Sequence, residues 1–276
     1  KTIDVWGEHK YNFVTNSLGF KDKKNRIIDK KNNSKKRIII NGDSFVEGIG
    51  IEYEDTFVGL IDNYLFNENK NIEILNAGVA SQSPILYYKK IFYLLEEKKI
   101  DFDEFILFLD ISDIPDEYFY SKNYNNEVEK KYLRDKIQDF LVNNSTIYLF
   151  FDVLFGQLNS YKEYIVIKNQ AAKFYKKNIS EITKNDINIY NSINVERGNW
   201  THSDKLWKSY ALEGRKLAEK NLNKLNFLLK KNNIKFSLVI YPWPKQIYIK
   251  ENSKRHTVFW ENWSNQNRVN FINLFE

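Results

Sequence analysis

The 276-residue chain contains no cysteine. Disulfides, thiolate catalysis and cysteine-based zinc sites are thereby excluded, while the compartment is left open. Methionine is missing too, even at position 1. Residue 1 is therefore expected to be an internal cut, with room upstream for a signal peptide or anchor. Localisation, cytoplasmic or exported, stays undecided on this ground. Histidine occurs only at His9, His202 and His256. No apolar run approaches the roughly 20 residues that span a bilayer, so no membrane span is expected in this segment. Charge of one sign is also scarce: 42 basic against 36 acidic residues give +6. The lysines are spread along the chain, as in KDKKNRIIDKKNNSKKR, with no single basic face bearing stacking aromatics. That argues against a nucleic-acid partner and for a solvated surface.

What is present describes a globular protein. Hydrophobic residues make up 42% and charged residues 28%, with 20 Phe, 18 Tyr and 6 Trp. The length supports a core of respectable size. Residues 1–36 show no clean period and read as a lead-in packed on the edge of the domain that follows (37–276). From Arg37 the pattern alternates. RIIIN, NIEILNAG, EFILFLDIS, IKFSLVIYPWP and RVNFINLFE are short apolar runs suited to strands buried on both faces. Between them lie helical patterns: DTFVGLIDNYLFNE, with Asp55 and Thr56 as cap candidates; PILYYKKIFYLLEEK, with Pro84 in its first turn; a long amphipathic segment from Ser203 to Asn233; and TVFWENWSNQN. The expected architecture is an α/β three-layer sandwich around a five-stranded parallel, flavodoxin-like sheet. The alternation breaks over about 118–200, a helical insertion. There NEVEKKYLRDKIQDFLVNN and STIYLFFDVLFGQLNSYKEY read as helices, and SEITKNDINIYNSINVERGNW as a polar loop. Such insertions at strand ends commonly shape pockets.

The first apolar run ends on Asn-Gly-Asp-Ser. In a doubly wound sheet, ligands bind beyond the C-terminal strand ends. Ser44 entering a helix there has an exposed hydroxyl and a backbone N–H aimed into the pocket. Gly42, Gly48 and Gly50 permit tight geometry, and Asp43 can fix the turn through local N–H groups. An ordinary strand-ending Asx turn explains the same residues. A phosphate-cradling loop is weaker, because the G-x-x-x-x-G-K-[ST] pattern is absent. The second and third runs also end on pocket-type residues, in LNAGVASQSP, which carries Asn76, Gly78 and Ser81, and in DISDIPDEY.

Together these three strand ends resemble the SGNH (GDSL-type) hydrolase and acyltransferase superfamily over Arg37 to about Asp113, and more loosely over Ile234 to Phe275. GDSFVEG resembles the first block, which implies that Ser44 is the nucleophile and donates its N–H to an oxyanion. NAGVAS resembles the second block, which implies a backbone oxyanion donor at Gly78. DISD stands where Gly-x-Asn-Asp belongs, so Ser112 replaces the usual asparagine donor and Asp110 the glycine. Asp43 and Asp113 are supporting residues on this reading. NSLGFKD resembles a segment that precedes such domains in bacterial polysaccharide-related members. The resemblance implies acyl transfer through a serine ester, with no cofactor, on a small ester or an acylated carbohydrate, an O-acetyl ester being the expected substrate class. It does not separate hydrolysis from transfer, and the oligomeric state is not legible.

The resemblance also calls for a histidine in Asp-x-x-His after the last strand. None of the three histidines has aspartate three residues before it. The base is therefore expected beyond Glu276, with His202 and His256 as minor candidates. The rival expectation is a catalytically degenerate glycan-binding or assembly module of the same fold, and a third is a phosphate or nucleotide binder. Asp110, Asp113, Asp116 and Glu117 raise the question of a hard cation. Without ligand spacing, local capping is the simpler account and no metal is expected. Trp243, after the fourth run, is either a sugar-stacking wall or a loop anchor between two prolines.

Overall fold

The computed structural model describes residues 2–6, 9–30, 35–123, 162–193, 196–250 and 254–275. Five strands form one parallel sheet: β3 (Lys36–Asn41), β4 (Ile72–Asn76), β5 (Glu104–Leu109), β6 (Lys235–Ile240) and β7 (Asn270–Asn273). Their spatial order is β4-β3-β5-β6-β7, with every neighbouring pair parallel. Counted within the sheet, that is 2-1-3-4-5, the flavodoxin-like order. Ile39 pairs with Leu75 on one side and Phe105 on the other, which fixes the register around the central strand.

Alternation divides the strand side chains between two layers. Ile39, Leu75, Phe105, Leu107, Leu109, Leu238 and Ile240 join the larger core. It is closed by α3 (Pro84–Phe92), α5 (Leu212–Lys231) and α6 (Phe259–Asn267). Along α5, Ala218, Leu222, Leu225 and Leu229 form the buried stripe at helical spacing. Ile38, Ile40 and Ile74 face the other way, with Ile106 and Phe108 beside them, against α1 (Ser44–Glu47) and α2 (Phe57–Asn67). Thr56 caps α2, its hydroxyl accepting the Gly59 N–H at 2.9 Å. α4 (Asp113–Asn123) leaves the end of β5.

Several elements differ from the sequence expectation. The lead-in contains an antiparallel pair, β1 (Thr2–Trp6) with β2 (His9–Phe13). The apolar positions of α2 do not all face the core. Val58 is buried and Phe57 and Leu65 pack beside it, whereas Leu60 and Tyr64 are exposed, since this helix covers the sheet with a narrow stripe. The segment expected to be a polar loop is mostly helical, with turns at Ile179–Glu181 and Glu196–Thr201 and a helix at Lys184–Ile193. Thr183 and Asp186 cap each other's N–H groups, at 2.9 and 3.1 Å. Ile187 buries itself against Ala171, Ala172 and Ile182. Residues 162–175 are helical. The helices expected over 126–144 and most of 145–164 lie outside the described residues.

Candidate active site

β3 delivers Ser44 just past its C-terminal end, where the order of the sheet reverses between β4 and β5. Asp43 is the N-cap of α1, its Oδ1 accepting the Phe45 N–H at 2.9 Å. Ser44 itself is half-buried, with its hydroxyl 3.5 Å from Asp43 Oδ2, at the limit of hydrogen bonding. Two glycines let three backbones converge here. A Cβ on Gly42 would fall 2.9 Å from the Phe108 carbonyl, and one on Gly78 would fall 2.4 Å from the Glu47 nitrogen. Asn76 ties the β4 end to α1: its amide donates to the Val46 carbonyl at 2.8 Å, and its Oδ1 accepts the Gly78 N–H at 3.0 Å. The Gly78 N–H, expected to serve an oxyanion, is thus held by Asn76.

The DISD segment makes a buried carboxylate knot behind Ser44. Asp110 Oδ1 accepts the Ser112 N–H at 2.7 Å. Its Oδ2 accepts Trp243 Nε1 at 2.9 Å and also the Tyr241 hydroxyl, which lies 3.4 Å from Asp43 Oδ1. Asp113 accepts the Asp110 N–H at 2.9 Å and the Tyr87 hydroxyl at 3.0 Å. Asp43, Asp110 and Asp113 are all buried. Burial, reinforced by the charge of Asp110, pushes the Asp43 carboxyl up to about 7. Burial, with Asp43 and Asp110 adding to it, raises Asp113 well above the usual carboxylate range. Burial raises Asp116 against the pull of its ion-pair partner Arg197. Glu117 accepts Ser83 Oγ at 2.8 Å and the Ile85 N–H at 2.9 Å, anchoring the start of α3. All four acids of the segment are therefore engaged with protein donors. Among the described residues, no group of three or more histidines and acids is arranged to hold a metal ion.

Two lysines support the site from below and from the side. Lys90 is half-buried, its ammonium turned inward to donate to Asn41 Oδ1 at 3.0 Å and to the Ala77 carbonyl beside Gly78; desolvation of that ammonium pushes it down to about 7. Lys21, in the NSLGFKD segment, donates to the Gly48 and Ile51 carbonyls, each at 2.6 Å, and so pins the turn after α1. The backbone of Lys21 also bridges to Asn76. Neither lysine, nor Tyr241, stood out in the sequence. Tyr241 had a usable signal, since it immediately follows β6 at the functional end of the sheet.

Trp243 is held as an anchor, by its bond to Asp110 and by its ring, which packs on Gly198, 2.9 Å from where a Cβ there would sit. His256 is fully buried between the rings of Trp200 and Phe275, and burial pushes it down to about 3, so it is neutral. His202 is exposed, with its Nδ1 3.3 Å from Thr201 Oγ1. His9 belongs to β2 in the hairpin. The Ser44 hydroxyl has Asp43 as its hydrogen-bonding neighbour.

A cavity of about 610 Å³ opens at Ser44. Phe45, Phe57, Phe108 and Tyr241 wall it, the Phe45 and Tyr241 rings stacked at 5.0 Å. Leu274, just past β7, closes one side, and its N–H donates to the Ile240 carbonyl at 2.9 Å. The end of β7 and the Ser44 turn after β3 thus line one cavity, although β5 and β6 lie between these strands in the sheet.

No family model matches the sequence, and no curated protein matches it. Among solved structures, AlinE4, an SGNH-hydrolase family esterase, is 10% identical with a TM-score of 0.42, over 89% of this chain and 79% of the other. The psychrotrophic esterase EstA from Pseudoalteromonas sp. is 12% identical with a TM-score of 0.43, over 86% and 76%. TesA is 10% identical with a TM-score of 0.40, over 86% and 77%. A likeness at this depth carries no weight for activity; the fold class rests on the chain's own strand order, and these structures are ones to which it is similar.

Proposed function

We propose that the protein is a serine-dependent ester hydrolase or O-acyltransferase that works through an acyl-enzyme on Ser44. The observation that supports this reading is the convergence of three strand ends around one half-buried hydroxyl at the mouth of a cavity. In the first half-reaction Ser44 Oγ attacks the ester carbonyl as a base removes its proton. The C–O bond to the alcohol breaks, the alcohol takes the proton, and the acyl group stays on Ser44. Water or a second alcohol, such as a carbohydrate hydroxyl, then takes the acyl group by the reverse sequence. The Ser44 N–H stands in the first turn of α1, where no helical carbonyl reaches it, and is the first oxyanion donor. The Ser112 hydroxyl is the second. Gly78 becomes the third only by exchanging Asn76 Oδ1 for the oxyanion. Each donor contributes about 3 kcal/mol by the subtilisin precedent. Asp43 holds the Ser44 turn, and Asp113 holds the DISD loop through Tyr87.

The base on this reading is a histidine carried by the chain that follows β7. The supporting observation is that Leu274 already lines the Ser44 cavity. The test is hydrolysis of p-nitrophenyl esters by the full-length gene product and by its Ser44→Ala variant. Release of p-nitrophenol is expected from the parent, falling to background in Ser44→Ala with the unfolding midpoint unchanged. Equal release by both would refute it. A Ser44→Ala variant that keeps full glycan affinity, beside a parent inert to all esters, would favour the binding module.

A further inference from the structure

We infer that the cavity at Ser44 is an acyl-chain site that takes a linear acyl group of about six to ten carbons, longer than the acetyl group expected from the sequence. The inference rests on the acyl-enzyme reading above and names the substrate class of that site. Its basis is what the walls are made of and how they are left.

From the hydroxyl outward, the cavity meets Phe45, Phe57, Phe108, Ile51, Ile61 and Leu274, with no charged side chain on its lining. An acetyl group ends one carbon beyond the carbonyl and would touch little of this. At roughly 30 Å³ per heavy group, the volume share of a water-sized unit, an eight-carbon acyl chain needs roughly 240 Å³. The cavity of about 610 Å³ holds that with room for the ester head. The aromatic walls are braced: Phe57 packs on Phe108 at 4.8 Å, and Phe45 on Tyr241 at 5.0 Å. They are a built surface, yet they remain unsatisfied. Phe45 is 60% exposed, Ile51 42% and Ile61 39%, all around one opening. Apolar side chains clustered around an opening mark a binding site more often than scattered surface residues do. A chain running from the Ser44 carbonyl into this opening would cover them, whereas a sugar placed there would leave most of its own hydroxyls without hydrogen-bonding partners. The carbohydrate, where there is one, therefore belongs on the leaving-group or acceptor side.

The test is kcat/KM for p-nitrophenyl acetate, butyrate, hexanoate, octanoate and decanoate on the full-length gene product and on Ile61→Trp, which narrows the cavity from its wall. Each buried methylene is worth about fourfold, so the four that separate hexanoate from acetate are expected to raise kcat/KM roughly 250-fold. Ile61→Trp is expected to abolish that rise, bringing the hexanoate-to-acetate ratio of kcat/KM down to about one. Octanoate binding by calorimetry, lost in Ile61→Trp, is the second readout and does not require catalysis. Turnover of acetate with a flat or falling profile, and no octanoate binding, overturns the acyl-chain site while the esterase reading stands. Octanoate binding that Ile61→Trp abolishes, without turnover of any ester, supports the site and removes the esterase reading. Absence of both turnover and octanoate binding overturns both.

Discussion

Removing the Tyr241 hydroxyl should destabilise the protein more at alkaline than at acid pH. That hydroxyl donates to Asp110 and faces Asp43 Oδ1 at 3.4 Å, in a region where all three side chains are buried. Asp43 is pushed up to about 7 by burial and then by the charge of Asp110, with the Tyr241 hydroxyl working in the opposite direction. A carboxyl raised in the folded state holds a proton that the unfolded chain releases. Its stabilising contribution is fully present below the ordinary carboxylate range and is lost as pH rises through about 7. Tyr241→Phe takes away the donor that favours the charged form, so Asp43 rises further and the loss deepens above neutrality. At pH 5, where Asp43 is neutral, the variant should lose about 1 kcal/mol, the net worth of an ordinary hydrogen bond. At pH 8.5, where Asp43 has lost its proton and the hydroxyl faces a carboxylate, the loss should reach about 2–3 kcal/mol. Urea unfolding followed by tryptophan fluorescence reads both, since Trp200 and Trp260 are fully buried. Equal losses at the two pH values, or a smaller one at pH 8.5, would refute the carboxylate knot as described.

Other expectations concern the supports of the Ser44 turn. In Gly78→Ala the new methyl would lie 2.4 Å from the Glu47 nitrogen and 2.7 Å from the Val46 carbonyl carbon. Both are backbone atoms, so overpacking should cost about 1–3 kcal/mol, with esterase turnover falling as α1 shifts; wild-type stability and rate would contradict this. Gly19→Ala is the matched control, since it has a φ of +76° and open space around it. It should cost about 1 kcal/mol and leave turnover alone. Lys21→Met strips the ammonium from the Gly48 and Ile51 carbonyls and should cost about 2–3 kcal/mol in urea unfolding. A loss below about 0.5 kcal/mol would mean that the clamp contributes no more than a surface residue.

The sheet was legible because each strand is a short apolar run with its own boundaries, and alternation with helices leaves few parallel arrangements. RIIIN could be read as a strand without knowing its neighbours. The buried face of α2 was not legible, because Leu60 and Ile61 are as apolar as Val58 and only the packing decides which side the sheet takes. The helix at Lys184–Ile193 was hidden by its polar composition; its signals were the Thr183–Asp186 caps and the isolated Ile187. That Ser44 stands just past the first strand of the sheet could be read from the end of RIIIN. The partners that hold it in place come from far along the chain. Tyr241 meets Asp110 across 131 positions, and Lys21 meets Gly48 across 27. Lys90 reads in the sequence as one more lysine in a basic helix turn, and only the fold turns it inward under Ala77. Contacts of this kind leave no local pattern.

On the proposed mechanism Ser44 is an activated nucleophile. The most direct measurement is the intact mass of the full-length gene product, and of its Ser44→Ala variant, after incubation with a fluorophosphonate. A single phosphonyl adduct on the parent and none on Ser44→Ala is the predicted result. A parent that stays unlabelled while folded, or an adduct that persists in Ser44→Ala, would contradict it.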